Sequence, residues 1–333
     1  MLRFFLIRLA GLIPLLLLIL TLSFFLIRSA PGNPFANAKA FPPQVVESLN
    51  RQYGLDKPIF FFSLVQPDDP KQHRPWPQRL TFQWNGSDNQ YWNYLKRVVF
   101  SFDLGPSTRY ADQTVNDIIR ESLPKSVALG LAAYVIALVV GLGLGILAAL
   151  KQNTVIDYGA MLFAVLGVSI PSFVLGPLLI LVFSLTLYWL PPARWGDFRH
   201  LILPAITLSG LYSAYIARLT RSGMLEVLRA DYIRTARAKG LSETVVVFRH
   251  ALRGGLLPVV SFSGPALAFL LGGTIVVEKI FLIPGLGNFF IEAANSRDYT
   301  LVMGVVLLVS VFLVVANFLV DLAYAAIDPR IRY

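Results

Sequence analysis

The residue types able to move a proton, hold a metal or attack a carbonyl are thinly spread through this sequence. His73, His200 and His250 are its three histidines. They stand far apart, and none has a second ligand at metal-site spacing. No cysteine occurs, which removes disulfides, thiolate nucleophiles and Cys-ligated metals. An intramembrane enzyme would need a buried Ser/His set, paired aspartates or HExxH, and the sequence has none of them. A phosphate loop needs G-x-x-x-x-G-K-[ST], and no Gly-Lys pair exists. The Gly141-x-Gly143-x-Gly145 run lies within apolar sequence and reads as close helix packing. No catalytic, metal or nucleotide site is therefore expected in this chain.

Ionisable residues inside apolar runs carry more weight, because a charge in lipid is expensive. Arg218 and Arg221 lie near the end of one run, where long side chains reach water. Glu278 and Lys279 lie near the end of another and are also expected close to water. Asp321 is the deepest. It either pairs with a basic residue of a neighbouring helix or lines a pathway.

One stretch differs from its surroundings. Asp231–Gly255 reads DYIRTARAKGLSETVVVFRHALRGG, basic and helix-prone between two apolar runs. Asp231 is placed to cap a short helix over Tyr232–Lys239, with Gly240 as the left-handed residue that ends it. Arg237 and Lys239 fall in the last turn, where the helix dipole favours cations. Ser242 is placed to cap a second helix with Glu243 in its first turn. Physics alone leaves two readings of this helix–Gly–helix element. One is a basic loop that sets topology or lies at the interface. The other is a docking element for a cytoplasmic partner, since Ala236, Ala238 and Gly240 give a slim, exposed profile suited to a cleft.

The elements that hold these residues are membrane spans. The chain is 56% hydrophobic and 14% charged, against about 25% charged in soluble domains. Its net charge of +10 follows from basic residues flanking apolar runs, and no basic patch interleaved with aromatics suggests nucleic acid. Six segments reach the length of about 20 residues that a bilayer requires: Leu9–Ile27, Pro124–Leu150, Tyr158–Tyr188, His200–Leu219, Leu256–Val277 and Leu301–Ala326. Pro171 and Pro177 should kink or break the third. The first run resembles a signal peptide in its basic start, but it is long and Pro31 spoils the cleavage context, so an uncleaved span is expected. Arg3 and Arg8, Lys151, the loop 220–255 and the tail residues Arg330 and Arg332 fall on one side of a six-span arrangement, which the positive-inside rule makes cytoplasmic. Both termini are then cytoplasmic.

The expected organisation is an N-terminal helix over 1–30, an extracytoplasmic region over 31–122 and a five-helix core over 123–333 with its cytoplasmic loop at 220–255. Within the outer region, Gln44–Tyr53 and Tyr91–Phe102 are expected to be helical. QPDDPKQHRPWPQRLTFQWNGSDN between them is expected to be loop. This segment either contacts a partner through Trp76 and Trp84 or is a tolerated insertion.

ARAKG, followed ten positions later by His250-Ala-Leu, resembles the cytoplasmic loop of ABC importer permeases. The general pattern has Glu-Ala-Ala, three residues, Gly, nine residues and Ile-x-Leu-Pro. Here those positions read Arg234-Thr-Ala236, Gly240, His250, Leu252 and Arg253. The Glu, Ile and Pro are absent, and RTARAKG…RHAL is similar to the peptide-permease branch. The resemblance extends through LRFFLIRLAG…RSAPGNP, GLDKPI, FDLGPS, ESLPKS, KQNTVIDY, IPSF, VVEKIFLIPGLG and DPRIRY. It covers nearly the whole chain, apart from the insertion at Pro67–Asn89.

The resemblance implies an all-α fold of six transmembrane helices in the bacterial cytoplasmic membrane, and a translocation subunit of an oligopeptide importer. It implies as partners a second homologous permease, two cytoplasmic ATPase subunits that bind ATP and Mg, and an extracytoplasmic peptide-binding protein. It makes Asp231, Arg234, Thr235, Ala236, Arg237, Ala238, Lys239, Gly240, Arg249 and His250 the ATPase-coupling loop, while Pro284, Gly285 and Asp321 become candidates for a gate or pathway. Dipeptides, nickel, opines and glutathione are related cargo. An ion-coupled secondary transporter is the runner-up, but it needs midplane coupling-ion groups and an inverted repeat, neither of which is evident.

Overall fold

The computed structural model describes residues 2–29, 34–35, 42–65, 81–110, 112–272 and 275–327. Gly273, the DPRIRY tail and most of the insertion, with His73 and Trp76, lie outside them, as do the side chains of Arg3 and Arg8. Within the described residues the regular structure is helical apart from one two-stranded antiparallel sheet and an isolated bridge between Pro106 and Thr114, as an all-α membrane fold requires.

The apolar runs become α1 (Leu2–Ser29), α4 (Val115–Leu150), α7 (Phe198–Leu228), α11 (Leu257–Leu271) continued by α12 (Ile275–Ile280), and α14 (Tyr299–Ile327). Five segments are long and apolar enough to cross a membrane. The sixth is broken: α5 (Val155–Ser169) and α6 (Ser172–Leu179), with a π-helical continuation over Ile180–Thr186, meet at 103°. Pro171 sets the break, since the residue before proline avoids the helical region and Ile170 is extended at φ −92°, ψ 113°. Pro177 is accommodated inside α6. The remaining helices are α2 (Pro43–Gln52), α3 (Gln90–Ser101), α8 (Asp231–Ala238), α9 (Glu243–Val245), α10 (Leu252–Gly255) and α13 (Leu286–Ser296).

Residues 81–84 correct the expected loop. Thr81–Trp84 pairs antiparallel with Phe62–Val65, Phe62 opposite Trp84. Phe82 and Trp84 at alternate positions, with β-branched Thr81 beside them, favour a strand despite the prolines nearby, and the Phe62 and Trp84 rings meet at 4.7 Å.

The helices form two units. One comprises 1–16, 121–289 and 308–333. Its central element is α7, against which α5, α6, α10 and α11 pack. Gly141 and Gly145 of α4 face α7 so closely that a Cβ would lie 2.7 Å from Ile216 Cβ and 2.5 Å from Thr220 Cβ, whereas Gly143 points into open space. The expected glycine packing face is therefore Gly141 and Gly145. The core here is Leu129, Leu203, Leu208, Leu270, Val277, Phe281 and Ile283. The other unit comprises 17–120 and 290–307. Leu20, Phe24, Tyr94, Tyr299 and Met303 form its core. Buried Asp298 caps α14: its Oδ1 accepts from the Leu301 N–H at 3.1 Å, and its Oδ2 accepts from the Ser107 hydroxyl and the Thr108 N–H.

Candidate functional site

The stretch after α7 folds as a helix, a glycine turn and a second helix. α8 begins with Asp231 as its first helical residue, not its cap. The cap is Ala230, extended at φ −68°, ψ 149°, with no side-chain cap hydrogen bond. Asp231 lies 3.5 Å from Arg234 within the first turn and carries favourable charge there. The far end matches the expected geometry. Gly240 is left-handed at φ +76°, its N–H donates to Arg237 O at 2.9 Å, and the Leu241 N–H donates to Ala236 O at 3.4 Å. These two bonds form the Schellman closure of a helix. Ser242 occupies the cap position of the next helix but makes no side-chain cap bond. That second helix is α9, then a π-helical segment Val246–Ala251, then α10.

α8 is not exposed on all sides. Ile233 is fully buried and Ala236 is 6% exposed, against Ala149, Met224, Val246, Val247 and Ala251. Ala236 thus belongs to the helix's own foundation, and the slim-profile reading keeps only Ala238 and Gly240. Complete burial of an Ile side chain contributes about 1.5–3 kcal/mol, enough to fix the orientation of so short a helix. The opposite face presents Asp231, Tyr232, Arg234, Thr235, Arg237, Ala238 and Lys239 to solvent. Arg237 bridges the glycine turn to Glu243, Nη2 to Oε1 at 2.6 Å and Nε to Oε2 at 3.1 Å. That guanidinium holds the Glu243 carboxyl below the usual glutamate range. Arg249 is exposed and His250 half-buried on the π-helical segment.

Two charged constellations in the same unit were not anticipated. Asp157 in the first turn of α5 is buried and holds Arg221 of α7, so Arg221 is paired and does not simply extend to water. Arg218, by contrast, is exposed over the Tyr215 ring at 4.8 Å. Glu278 corrects the expectation of contact with water, since it is fully buried. Its Oε1 accepts from the Ser126 hydroxyl at 2.8 Å and its Oε2 from the Gly287 N–H at 2.9 Å, while the Leu286 N–H donates to Ser126 Oγ at 2.9 Å. The carboxylate thus sits at the N-terminus of α13, where the helix dipole favours it. It also accounts for the LIPGLG turn. A Cβ on Gly285 would lie 2.5 Å from Glu278 Cδ, and one on Gly287 2.9 Å from Glu278 Oε2.

Pro284 is exposed and Gly285 buried in that turn, while Asp321 is half-buried on α14. The structure therefore gathers residues 231–238 on α8 and Lys239 and Gly240 in the turn that closes it, with Arg249 and His250 on the adjoining segment, and places Pro284 and Gly285 together over Glu278. The missed residues left a sequence signal. Glu278 precedes a Gly-rich turn by only a few residues, and Asp157 stands in the first turn of an apolar helix.

Residues 141–333 match the family model described as the binding-protein-dependent transport system inner membrane component. Residues 1–65 match the N-terminal model of binding-protein-dependent transport system membrane components. The chain is 44% identical over 335 residues to the oligopeptide transport system permease protein OppB of Salmonella typhimurium, covering 100% of both. It is 43% identical to the dipeptide transport system permease protein DppB of Bacillus subtilis, covering 95% of this chain and 94% of that one. With the glutathione transport system permease protein GsiC of Escherichia coli O6:H1 it shares 39% identity over 100% of both. A structure of the MetNI methionine ABC transporter in an inward-facing conformation superimposes with a TM-score of 0.53 at 18% identity, covering 63% of this chain and 96% of that one. That last likeness is one of fold.

Proposed function

The chain belongs to the family of binding-protein-dependent transport system inner membrane components, and from that premise we propose that it is the translocation subunit of an ABC importer for oligopeptides. The observation that carries this reading is full-length identity of 44% with an oligopeptide permease. The chain lines part of a pathway through the bacterial inner membrane and hydrolyses nothing itself. A second, homologous permease completes the pathway, two cytoplasmic ATPase subunits drive it, and an extracytoplasmic peptide-binding protein supplies the substrate.

In this reading α8 is the coupling element. It is small, held on one face by Ile233 and Ala236, closed by the Gly240 turn and braced by Arg237–Glu243. A displacement transmitted between partners needs such a rigid projection. The exposed Arg234, Thr235, Arg237, Ala238 and Lys239 meet the ATPase cleft, with Arg249 and His250 beside them. Closure of the ATPase subunits presses on α8, and α7, which leads directly into it, carries the motion into the membrane. Both termini and this loop lie in the cytoplasm, and the region 31–122 lies outside. The Pro284–Gly285 turn, locked on Glu278, and Asp321 serve the gate or pathway.

Relatives that carry dipeptide and glutathione names support a second reading, in which the same machine takes a smaller peptide cargo. Uptake of labelled peptides of graded length into cells distinguishes the two. Deletion of this chain abolishes uptake of its cargo, and loss of the ATPase subunits does the same. Uptake that persists without the ATPases overturns the importer reading in favour of an ion-coupled carrier.

A further inference from the structure

The unit formed by residues 17–120 and 290–307 holds a cavity of about 320 Å³ bounded by the end of α1, the turn after α2, α3 and the start of α14. Its wall carries Arg28, Arg51, Lys57 and Arg97 and no carboxylate. Arg51 and Lys57 are already paired, with Glu47 at 2.6 Å and Asp88 at 2.7 Å. Arg28 and Arg97 have no ion pair among the described residues, and the Nε of each is shut off from solvent without a hydrogen-bond partner. The Arg28 guanidinium lies over the rings of Phe24 at 5.7 Å and Tyr299 at 4.7 Å, contacts that satisfy none of its N–H groups. Tyr94, 3% exposed, adds an unpartnered hydroxyl to the same wall. Buried donors on cations are strongly disfavoured unless an acceptor meets them. Two guanidinium groups and a phenol around one cavity are matched by a compact anion with several acceptor oxygens.

We propose that this cavity binds a phosphate group, with Arg28, Arg97 and Tyr94 as donors, carried by the glycerol head group of an anionic phospholipid. Arg28 occupies the last turn of α1, whose Gly11–Ser29 segment is apolar enough to cross a bilayer, so the cavity lies where that helix leaves the hydrocarbon. The Phe25, Phe60 and Tyr91 rings pack around the same part of α1, as aromatic side chains do at head-group level. Gln90 Oε1, buried in the wall without a donor, is met by a glycerol hydroxyl, while Gln90 Nε2 is already committed to the Leu55 and Lys57 carbonyls. Guanidinium groups beside a transmembrane helix complement a phospholipid phosphate through charge-assisted hydrogen bonds.

The test uses the full-length chain with whatever subunits accompany it, delipidated and placed in nanodiscs of phosphatidylcholine alone, for the add-back, or of phosphatidylcholine mixed with phosphatidylglycerol, for the retention measurement. Native mass spectrometry of the wild type is expected to show one phosphatidylglycerol per chain surviving the wash that removes phosphatidylcholine. Adding phosphatidylglycerol back raises the thermal midpoint of the wild type. The Arg28→Gln/Arg97→Gln double variant retains the lipid at least about tenfold less, as expected when charge-assisted hydrogen bonds are lost. Arg28→Lys, which keeps the charge, retains it in part. The same rise of midpoint with millimolar inorganic phosphate in place of lipid upholds the phosphate site and assigns it to the free ion. A wild-type midpoint indifferent to both phosphatidylglycerol and phosphate, or equal lipid retention by wild type and double variant, overturns the proposal.

Discussion

The carboxylate of Asp157, its side chain 1% exposed, takes two parallel hydrogen bonds from Arg221: Nε to Oδ1 at 2.6 Å and Nη2 to Oδ2 at 2.7 Å. The pair fastens the first turn of α5 to the part of α7 that leads into α8. Removing one partner of a buried ion pair costs about 3–5 kcal/mol. Arg221 is 28% exposed, which sets the expectation for Asp157→Asn at the lower end of that range. The variant should show a lowered thermal midpoint and reduced peptide uptake. Asp157→Leu combined with Arg221→Met should recover part of the midpoint, because an apolar pair leaves no unmatched charge, although the Asn153 N–H then loses its acceptor. An unchanged midpoint in Asp157→Asn contradicts this role.

Gly240 has open space where a Cβ would go, so only its backbone conformation and its partner constrain it. A left-handed conformation disfavours ordinary side chains by about 1–2 kcal/mol, and Asn least of the common ones. Gly240→Asn should keep most uptake, whereas Gly240→Val and the bulky acidic Gly240→Glu should abolish it while the chain still inserts in the membrane. Uptake by Gly240→Glu at the wild-type rate removes the turn from the coupling element.

Gly285 and Gly143 make a matched pair of tests. A methyl group on Gly285 collides with the Glu278 carboxylate, whereas one on Gly143 meets nothing within 4 Å. Gly285→Ala should destabilise by about 1–3 kcal/mol, as overpacking does. Gly143→Ala should be neutral or raise the midpoint slightly, since Ala is the better helix former. Equal midpoints for the two variants contradict the Glu278 lock.

The Arg237–Glu243 brace sets a pH dependence. Arg237 holds the Glu243 carboxyl below its ordinary range, so the unfolded loop binds a proton more readily than the folded one. The stabilisation is therefore complete above the ordinary glutamate value and disappears as pH falls through the lowered folded value. The protection of the amides around Gly240, taken as exchange relative to the intrinsic rate at each pH, should fall on acidification in the wild type. Glu243→Gln should show the lower protection already at neutral pH and little further change. Protection in the wild type that does not change with pH contradicts the brace.

Apolar run length made the spans legible in the sequence, because it is set directly by bilayer thickness. Gly240 was legible for a similar reason: a glycine after a short helical run with basic residues in its last turn has few other uses. The break at Pro171 was legible from proline chemistry, although its angle was not. Tertiary pairing was not legible. Asp157 and Arg221 stand 64 positions apart, and Ser126 and Glu278 stand 152 apart. Hydropathy alone places each charged member near a helix end and therefore near water. The buried half of α8 was hidden for the same reason, since only the fold shows that Ile233 and Ala236 face Met224 and Val247.

The most direct test of the coupling assignment exploits a chain without cysteine. Ala238→Cys introduces a single thiol on the exposed face of α8, beside the Gly240 turn. In membranes containing the whole transporter, a short bifunctional reagent should join this cysteine to an ATPase subunit, and nucleotide should change the yield. A crosslink to the extracytoplasmic binding protein, or none to any ATPase when the complex is intact, contradicts the placement of α8 and the importer mechanism built on it.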